Sequence, residues 1–213
     1  MRNKKLISLL AIALLAGASY ALGWSTLFTV SSVEIKGTTA YLPMTVQVGE
    51  KLARVEPRAV ASTYEKIDFI QDAKVSRNWI TGKVTIAITP RRPIAMYNDQ
   101  AIDALGKAFV APGKSETSLP KIQAIDVAAA LVAANFFNSL PDAIKSALVV
   151  LKVRSTGAYV LEVNVEGRII EIGWGQSTDN DLKAKVYKAL LAQPENALVK
   201  RIDLSAPHAP IVK

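Results

Sequence analysis

The chain has 213 residues, half of them hydrophobic, with a net charge of +8 and a mean hydropathy of +0.22. It contains no cysteine and one histidine, which excludes disulfides, a thiolate nucleophile, a lipidated cysteine and any credible protein metal site. Three of the 26 basic residues (Arg2, Lys4 and Lys5) precede an apolar start, and the other 23 face 18 acids and lie scattered singly or in pairs. That pattern fits an exported domain near anionic lipid or wall polymer better than a nucleic-acid interface.

Residues 6–33 carry no charged side chain. A helix of about 20 apolar residues spans a bilayer core, so the run is long enough for an anchor. Leu6, Leu10 and Leu14 lie in its most hydrophobic part, and Tyr20, Trp24 and Phe28 follow at helical spacing, as in an outer aromatic belt. Basic residues stand on the N-terminal side only, which puts residues 1–5 in the cytoplasm and the bulk of the chain outside. Ala16-Gly17-Ala18 also fits a signal-peptide cleavage site, but the uncharged stretch outruns a leader core of about 7–15 residues. The expectation is an uncleaved anchor over residues 6–28.

Residues 29–36 alternate and end at Gly37, the mark of a strand. Residues 46–52 form a short ambiguous segment, and Glu56-Pro57-Arg58 opens a helix reaching about residue 66, with Val60 and Tyr64 inward. Period-two spacing at Ala73 and Val75, then at Val84, Ile86 and Ile88, predicts two strands joined by a turn over residues 78–82. The order is strand, helix, helix, strand, strand. Pro90 and Pro93 bracket Arg91-Arg92 and mark a junction, because prolines so close cannot sit inside a central strand.

Beyond it, residues 94–97, 101–103 and 108–110 read as short strands, with a turn over 104–107 and a loop over 111–117. Asp126 can cap a helix that ends before Leu140-Pro141. Residues 147–153, 159–165 and 168–173 are strands, the last two joined by Glu166-Gly167 as a two-residue hairpin turn. Thr178 with Asp181 resembles a capping box for a helix carrying Leu182, Val186 and Leu190 inward. Residues 199–204 form the last clear strand, and the tail over 205–213 is short, apolar and broken by Pro207 and Pro210. The predicted fold is α+β: a short cytoplasmic tail (1–5), one N-terminal transmembrane helix (6–28), a small βααββ module (29–91), and a mixed domain with a mainly antiparallel sheet (92–213).

Two constellations invite a catalytic reading. Asp203, Ser205 and His208 supply triad residue types, but they crowd into six positions with prolines beside the histidine and no nucleophile elbow. Glu162 and Glu171 are equidistant from the 166–167 turn and so stand opposite each other, as a retaining glycosidase requires. The solvent face of a hairpin explains the same pair, with Leu161, Val163, Ile170 and Ile172 toward the core. Gly173-Trp174-Gly175 matches no phosphate-binding spacing. No catalytic site, cofactor or metal is expected.

In order along the chain, several strings resemble one family. Val33-Glu34-Ile35-Lys36-Gly37 is similar to the opening of the POTRA module of the FtsQ/DivIB cell-division proteins. Residues 73–79, 84–88 and Arg92-Pro93-Ile94-Ala95 resemble that module's closing strands, and Ile102-Asp103 with Gly106 and Phe109, then Leu119-Pro120, resemble the start of the family's β domain. Residues 167–173, the Lys183/Lys185 helix and Ile202-Asp203-Leu204 resemble its end. The resemblance implies a bitopic scaffold of the division site, without enzymatic activity, that binds FtsB/DivIC-like and FtsL-like partners and through them influences the septal peptidoglycan synthase. Carried over by position, it implies that a partner strand adds at the C-terminal edge, at Val199, Arg201, Asp203, Ser205, Ala206, His208, Ala209, Ile211 and Val212.

Overall fold

The computed structural model describes the backbone of residues 2–23, 27–113 and 119–213, and their side chains except those of residues 2–5 and 22–23. Trp24 and most of the expected 111–117 loop lie outside the described residues. The chain divides into two compact units, Met1–Arg91 and Arg92–Lys213.

The first unit opens with helix α1 (Arg2–Gly23), which starts within the expected five-residue tail. Leu6, Leu10, Leu14 and Tyr20 are all exposed on it. Among the described residues no helix is long and apolar enough to cross a membrane; the described side chains of α1 end at residue 21.

Strand β1 (Ser32–Lys36), helix α2 (Pro57–Glu65), β2 (Ile70–Arg77) and β3 (Lys83–Pro90) follow. β3 is central in a three-stranded sheet, parallel to β1 and antiparallel to β2. Pro57 sits in the first turn of α2, where its missing N–H costs nothing, and Tyr64 is fully buried beneath the helix. The Tyr64 hydroxyl donates to the Pro43 carbonyl at 2.8 Å.

The expected βααββ order is corrected to βαββ: among the described residues no second helix stands between β1 and α2. That stretch buries Leu42, Val46, Leu52 and Val55, whose spacing does not repeat with a helical period, and Pro43 and Gly49 (φ +90°) interrupt it. It covers the core as turns.

The second unit contains β4 (Pro93–Tyr97), β5 (Gln100–Asp103), β6 (Ala108–Phe109), β7 (Lys121–Gln123), α3 (Val127–Ser139), α4 (Asp142–Ala147), β8 (Leu148–Val153), β9 (Tyr159–Val165), β10 (Arg168–Gly175), α5 (Asn180–Leu191), β11 (Arg201–Asp203) and β12 (Ile211–Val212). The strands form one nine-stranded sheet in the order β12-β11-β10-β9-β8-β7-β4-β5-β6, mostly antiparallel. The fold class is α+β, as the residue pattern indicates.

The helices pack on one face of this sheet. Ala130, Ala133, Phe136 and Phe137 of α3, Ile144 of α4 and Tyr187 of α5 share a core with Ile122, Leu151, Leu161, Ile170, Ile172 and Ile202 of the strands. The Asp126 cap forms as expected, its Oδ1 accepting from the Ala129 amide at 2.7 Å. Glu166 (φ +52°) and Gly167 (φ +84°) make the two-residue turn, closed by Gly167 N–H donating to the Asn164 side chain at 2.8 Å.

The helix after β10 differs from expectation. It begins at Asn180 behind a left-handed Asp179 and has no side-chain cap; Asn180 instead accepts from the Trp174 indole at 2.8 Å. Its most buried positions are Lys183 and Tyr187, while Val186 and Leu190 are partly buried against the core.

Gly37 holds β1 in place at its exit. Its φ of +89° is a left-handed conformation, and a Cβ there would lie 2.0 Å from the Ile88 carbonyl oxygen. The Gly37→Ala variant is expected to destabilise the first unit by about 2 kcal/mol or more. Chemical denaturation should then resolve an early transition, followed by Trp79 fluorescence, that the wild-type chain lacks.

Candidate partner-binding edge

The C-terminal edge is assembled by a crossover. β10 runs out along the sheet, α5 returns the chain over the apolar face, and β11 pairs parallel to β10 at Glu171↔Arg201, Ile172↔Ile202 and Gly173↔Asp203. Parallel neighbours cannot be joined by a hairpin, so a long crossover is required, and α5 supplies it here. Residues 205–210 then turn, with Ala209 N–H donating to the Ala206 carbonyl at 3.0 Å, and the tail comes back as β12. In the short, proline-broken tail, the two residues after Pro210 add a strand, β12.

β12 is the outermost strand at this end. Arg201 and Lys213 exchange backbone hydrogen bonds at 3.0 and 2.9 Å. The next pair, Ile202↔Val212, is therefore non-hydrogen-bonded with respect to β11, and the N–H and C=O of Val212 face away from the sheet. Pro210 has no N–H to contribute. The free edge thus presents one amide donor.

The expected edge residues divide between two faces. Val199 is buried in the core and Val212 packs against it, so neither side chain meets solvent squarely; cross-strand pairing puts Val212 on the inward face with Ile202, while Val199 enters the core from the turn before β11. Arg201, Ser205, Ala206, His208, Ala209 and Ile211 are exposed, and Asp203 is half-buried. Arg201 Nε reaches Glu171 Oε1 at 3.3 Å. Asp203 Oδ1 accepts from both the Ser205 amide at 2.9 Å and the Ser205 hydroxyl at 2.6 Å. Those two bonds, the hydroxyl's first, hold the Asp203 carboxyl below its ordinary pKa. The Ser205 proton is directed at a carboxylate rather than at His208, which is a turn-closing arrangement and not that of an activated nucleophile.

Glu162 and Glu171 do stand opposite each other, as the turn spacing requires. Each is engaged by a cation on its other neighbouring strand, Glu162 by Lys152 and Glu171 by Arg201. The register places Glu162, Glu171 and Arg201 in one row across the solvent face and Lys152, Val160, Gly173 and Asp203 in the next. A shallow depression of about 660 Å³ on that face is bordered by Tyr97, Gln123, Lys152, Arg154 and Glu171. It is a charged, salt-bridged sheet surface.

Gly173-Trp174-Gly175 supports the edge from behind. Trp174 is fully buried, edge-on to Phe136 at 6.4 Å. Gly175 has φ +74°, and a Cβ there would sit 3.0 Å from Ser205, so the glycine lets the C-terminal turn lie against β10. Lys183 went unnoticed as a site residue. It is almost wholly buried, donates to the Gln176 carbonyl at 2.8 Å and lies 5.9 Å over the Trp174 ring; burial lowers its pKa against the opposing pull of Asp179. No composition signal marks such a lysine, because its helix register alone decides its burial.

These features define a class: an α+β protein whose second unit is a broad, mostly antiparallel sheet, helix-covered on one face and ending in its own C-terminal strand. Residues 94–205, more than half of the chain, match the family described as Cell division protein FtsQ/DivIB, C-terminal. The chain belongs to the FtsQ/DivIB family of cell-division proteins. It is 27% identical over 228 aligned positions to the cell division protein FtsQ of Streptomyces venezuelae, a match covering 96% of this chain and 82% of that protein. The solved major extracytoplasmic domain of the cell division protein DivIB from Geobacillus stearothermophilus is 16% identical, with a TM-score of 0.35 and coverage of 52% of this chain and 98% of that one.

The lowered pKa of Asp203 fixes the sign of a pH effect. A depressed folded-state pKa contributes stability that is present above the unfolded value, near pH 4, and lost as pH falls through the folded value. The protection factor of the Ser205 amide, measured against its intrinsic exchange rate at each pH, should therefore fall below about pH 4 in the wild type. In Asp203→Asn it should already be low at neutral pH and change little on acidification.

Proposed function

We propose that this protein is a bitopic, non-catalytic scaffold of the division site that binds FtsB/DivIC-like and FtsL-like partners at its C-terminal edge and thereby influences the septal peptidoglycan synthase. Residues 6–28 serve as the anchor, with Leu6, Leu10 and Leu14 in the hydrocarbon and Tyr20 and Trp24 at the outer interface. Residues 29–91 form the POTRA-like module and residues 92–213 the β domain. Family membership supports the cell-division role. The observation that carries the binding surface is the outward-facing backbone of Val212 on β12, beside the exposed side chains of Arg201, Ser205 and Ile211.

A sheet edge with an unpaired N–H and C=O accepts an added strand, and alternate side chains on the adjoining face select which strand. Here the backbone contributes little length, since Pro207 and Pro210 lack donors. Specificity therefore falls to the outer face, where Arg201, Glu171 and Asp203 meet the partner's polar groups and Ile211 supplies apolar contact.

The test separates backbone pairing from packing. Val212→Pro removes the one outward donor, while Val212→Ala keeps it and trims the same side chain. Co-purification of the full chain with a small single-span coiled-coil partner of the FtsB/DivIC type should weaken about tenfold for Val212→Pro and little for Val212→Ala. Equal binding by Val212→Pro and the wild type would remove the edge from consideration.

A further inference from the structure

The β2–β3 turn carries an apolar tip that packing within the first unit does not account for. Ile80 is 96% exposed and Trp79 is 37% exposed, side by side at the turn. The backbone there is already closed on itself. Asn78 Oδ1 accepts from the amides of Ile80 and Thr81 at 3.0 Å each, and Gly82 N–H donates to the Asn78 carbonyl at 2.9 Å. With the Ile80, Thr81 and Gly82 amides paired internally, the tip can enter a poorly hydrated layer at a lower desolvation cost than an open turn.

The tip is also tied to the segment that follows α1. Ser31 N–H donates to the Gly82 carbonyl at 2.9 Å and the Ser31 hydroxyl to the Thr81 carbonyl at 2.6 Å. The Phe28 and Trp79 rings meet edge to face at 6.0 Å. Four residues separate Gly23, the end of α1, from Phe28, a reach of at most about 17 Å. Whatever holds α1 thus holds the tip close by. From within the unit Arg77, whose Nη1 donates to the Leu52 and Val55 carbonyls at 2.9 and 2.7 Å, lies 5.1 Å from the Trp79 ring centre and braces the tryptophan at the tip.

We infer that the β2–β3 tip, Trp79 and Ile80, is a second membrane contact that inserts into the headgroup layer of the bilayer next to the anchor. This rests on the reading of residues 6–28 as a membrane anchor. The contact consists of one aromatic at interface depth and one aliphatic side chain below it, the composition of an interfacial anchor. Its consequence is mechanical: a single helix leaves the attached module free to swivel, whereas a second contact fixes which way the sheet of the first unit stands.

The absence of cysteine makes the test direct. Full-length protein bearing Ile80→Cys, Leu14→Cys or Thr89→Cys is spin-labelled and reconstituted in phosphatidylethanolamine–phosphatidylglycerol vesicles. Accessibility to oxygen and to a water-soluble nickel chelate is then compared. Thr89 is exposed at the other end of β3, about 20 Å from the tip, and serves as the aqueous reference. The oxygen-to-nickel ratio should be highest at position 14, and at position 80 several-fold above that at 89. A water-like ratio at 80 overturns the inference whatever position 14 reports, and so does a label at 80 shielded only when a protein partner is added. A water-like ratio at 14 instead overturns the anchor reading.

Discussion

The parallel pairing of β10 with β11 is the constraint on which the C-terminal half depends. Two parallel neighbours need a crossover, and the crossover must bury one face of its helix against the sheet it spans. α5 meets that requirement with Tyr187 in the core and Val186 and Leu190 against it. After β11 the chain turns over residues 205–210 and returns as β12, antiparallel to β11 and outermost at this end of the sheet. The outermost strand, β12, has two residues, so the backbone available there for association is short.

The same crossover explains the buried lysine. A helix seated on a sheet at this register brings position 183 under the end of β10, where Trp174 already fills the space. A lysine can be tolerated there because its stem is apolar and its ammonium finds the Gln176 carbonyl and the Trp174 π face. Removing the carbonyl contact would leave a charge without a partner, a far larger cost than the modest gain the contact itself represents. Gly173, Trp174, Gly175, Asn180 and Lys183 therefore act as one seat. The glycine-flanked tryptophan belongs to the packing of the edge and not to a ligand site.

Much of this was legible where the signal is local. Asp126 before an apolar run, Glu166-Gly167 between two alternating segments, and Pro57 in a first turn each specify a backbone conformation within a few residues, and each is realised. The opposition of Glu162 and Glu171 followed by counting from the turn. What escaped were elements too short to show a period: β7 with three residues, β12 with two, and α4 with six. Their existence is decided by neighbours far away in sequence, since β7 is a strand only because β4 and β8 flank it. The second helix expected before α2 failed for the converse reason: its apolar residues are present and buried, but nothing in their spacing required a helix. At the edge the polar and exposed positions were recognisable by type, whereas the inward turn of Val199 and the register of Val212 depended on pairing that residue types alone do not reveal.

An edge this short has a physical rationale. A long, flat, apolar edge strand recruits any extended chain, including other copies of itself, and proteins that keep an edge open must limit it. Here Pro207 and Pro210 deny donors beside a β12 of two residues, and a salt-bridged face adjoins it. In the proposed reading, a partner cannot be held by backbone bonds alone, since one donor contributes too little. It must also complement Arg201, Glu171 and Asp203 in charge and Ile211 in shape, and a strand that pairs without that match gains almost nothing. Weak backbone pairing combined with a charged face thus confers selectivity: the edge stays open, yet it discriminates among the extended segments it could meet.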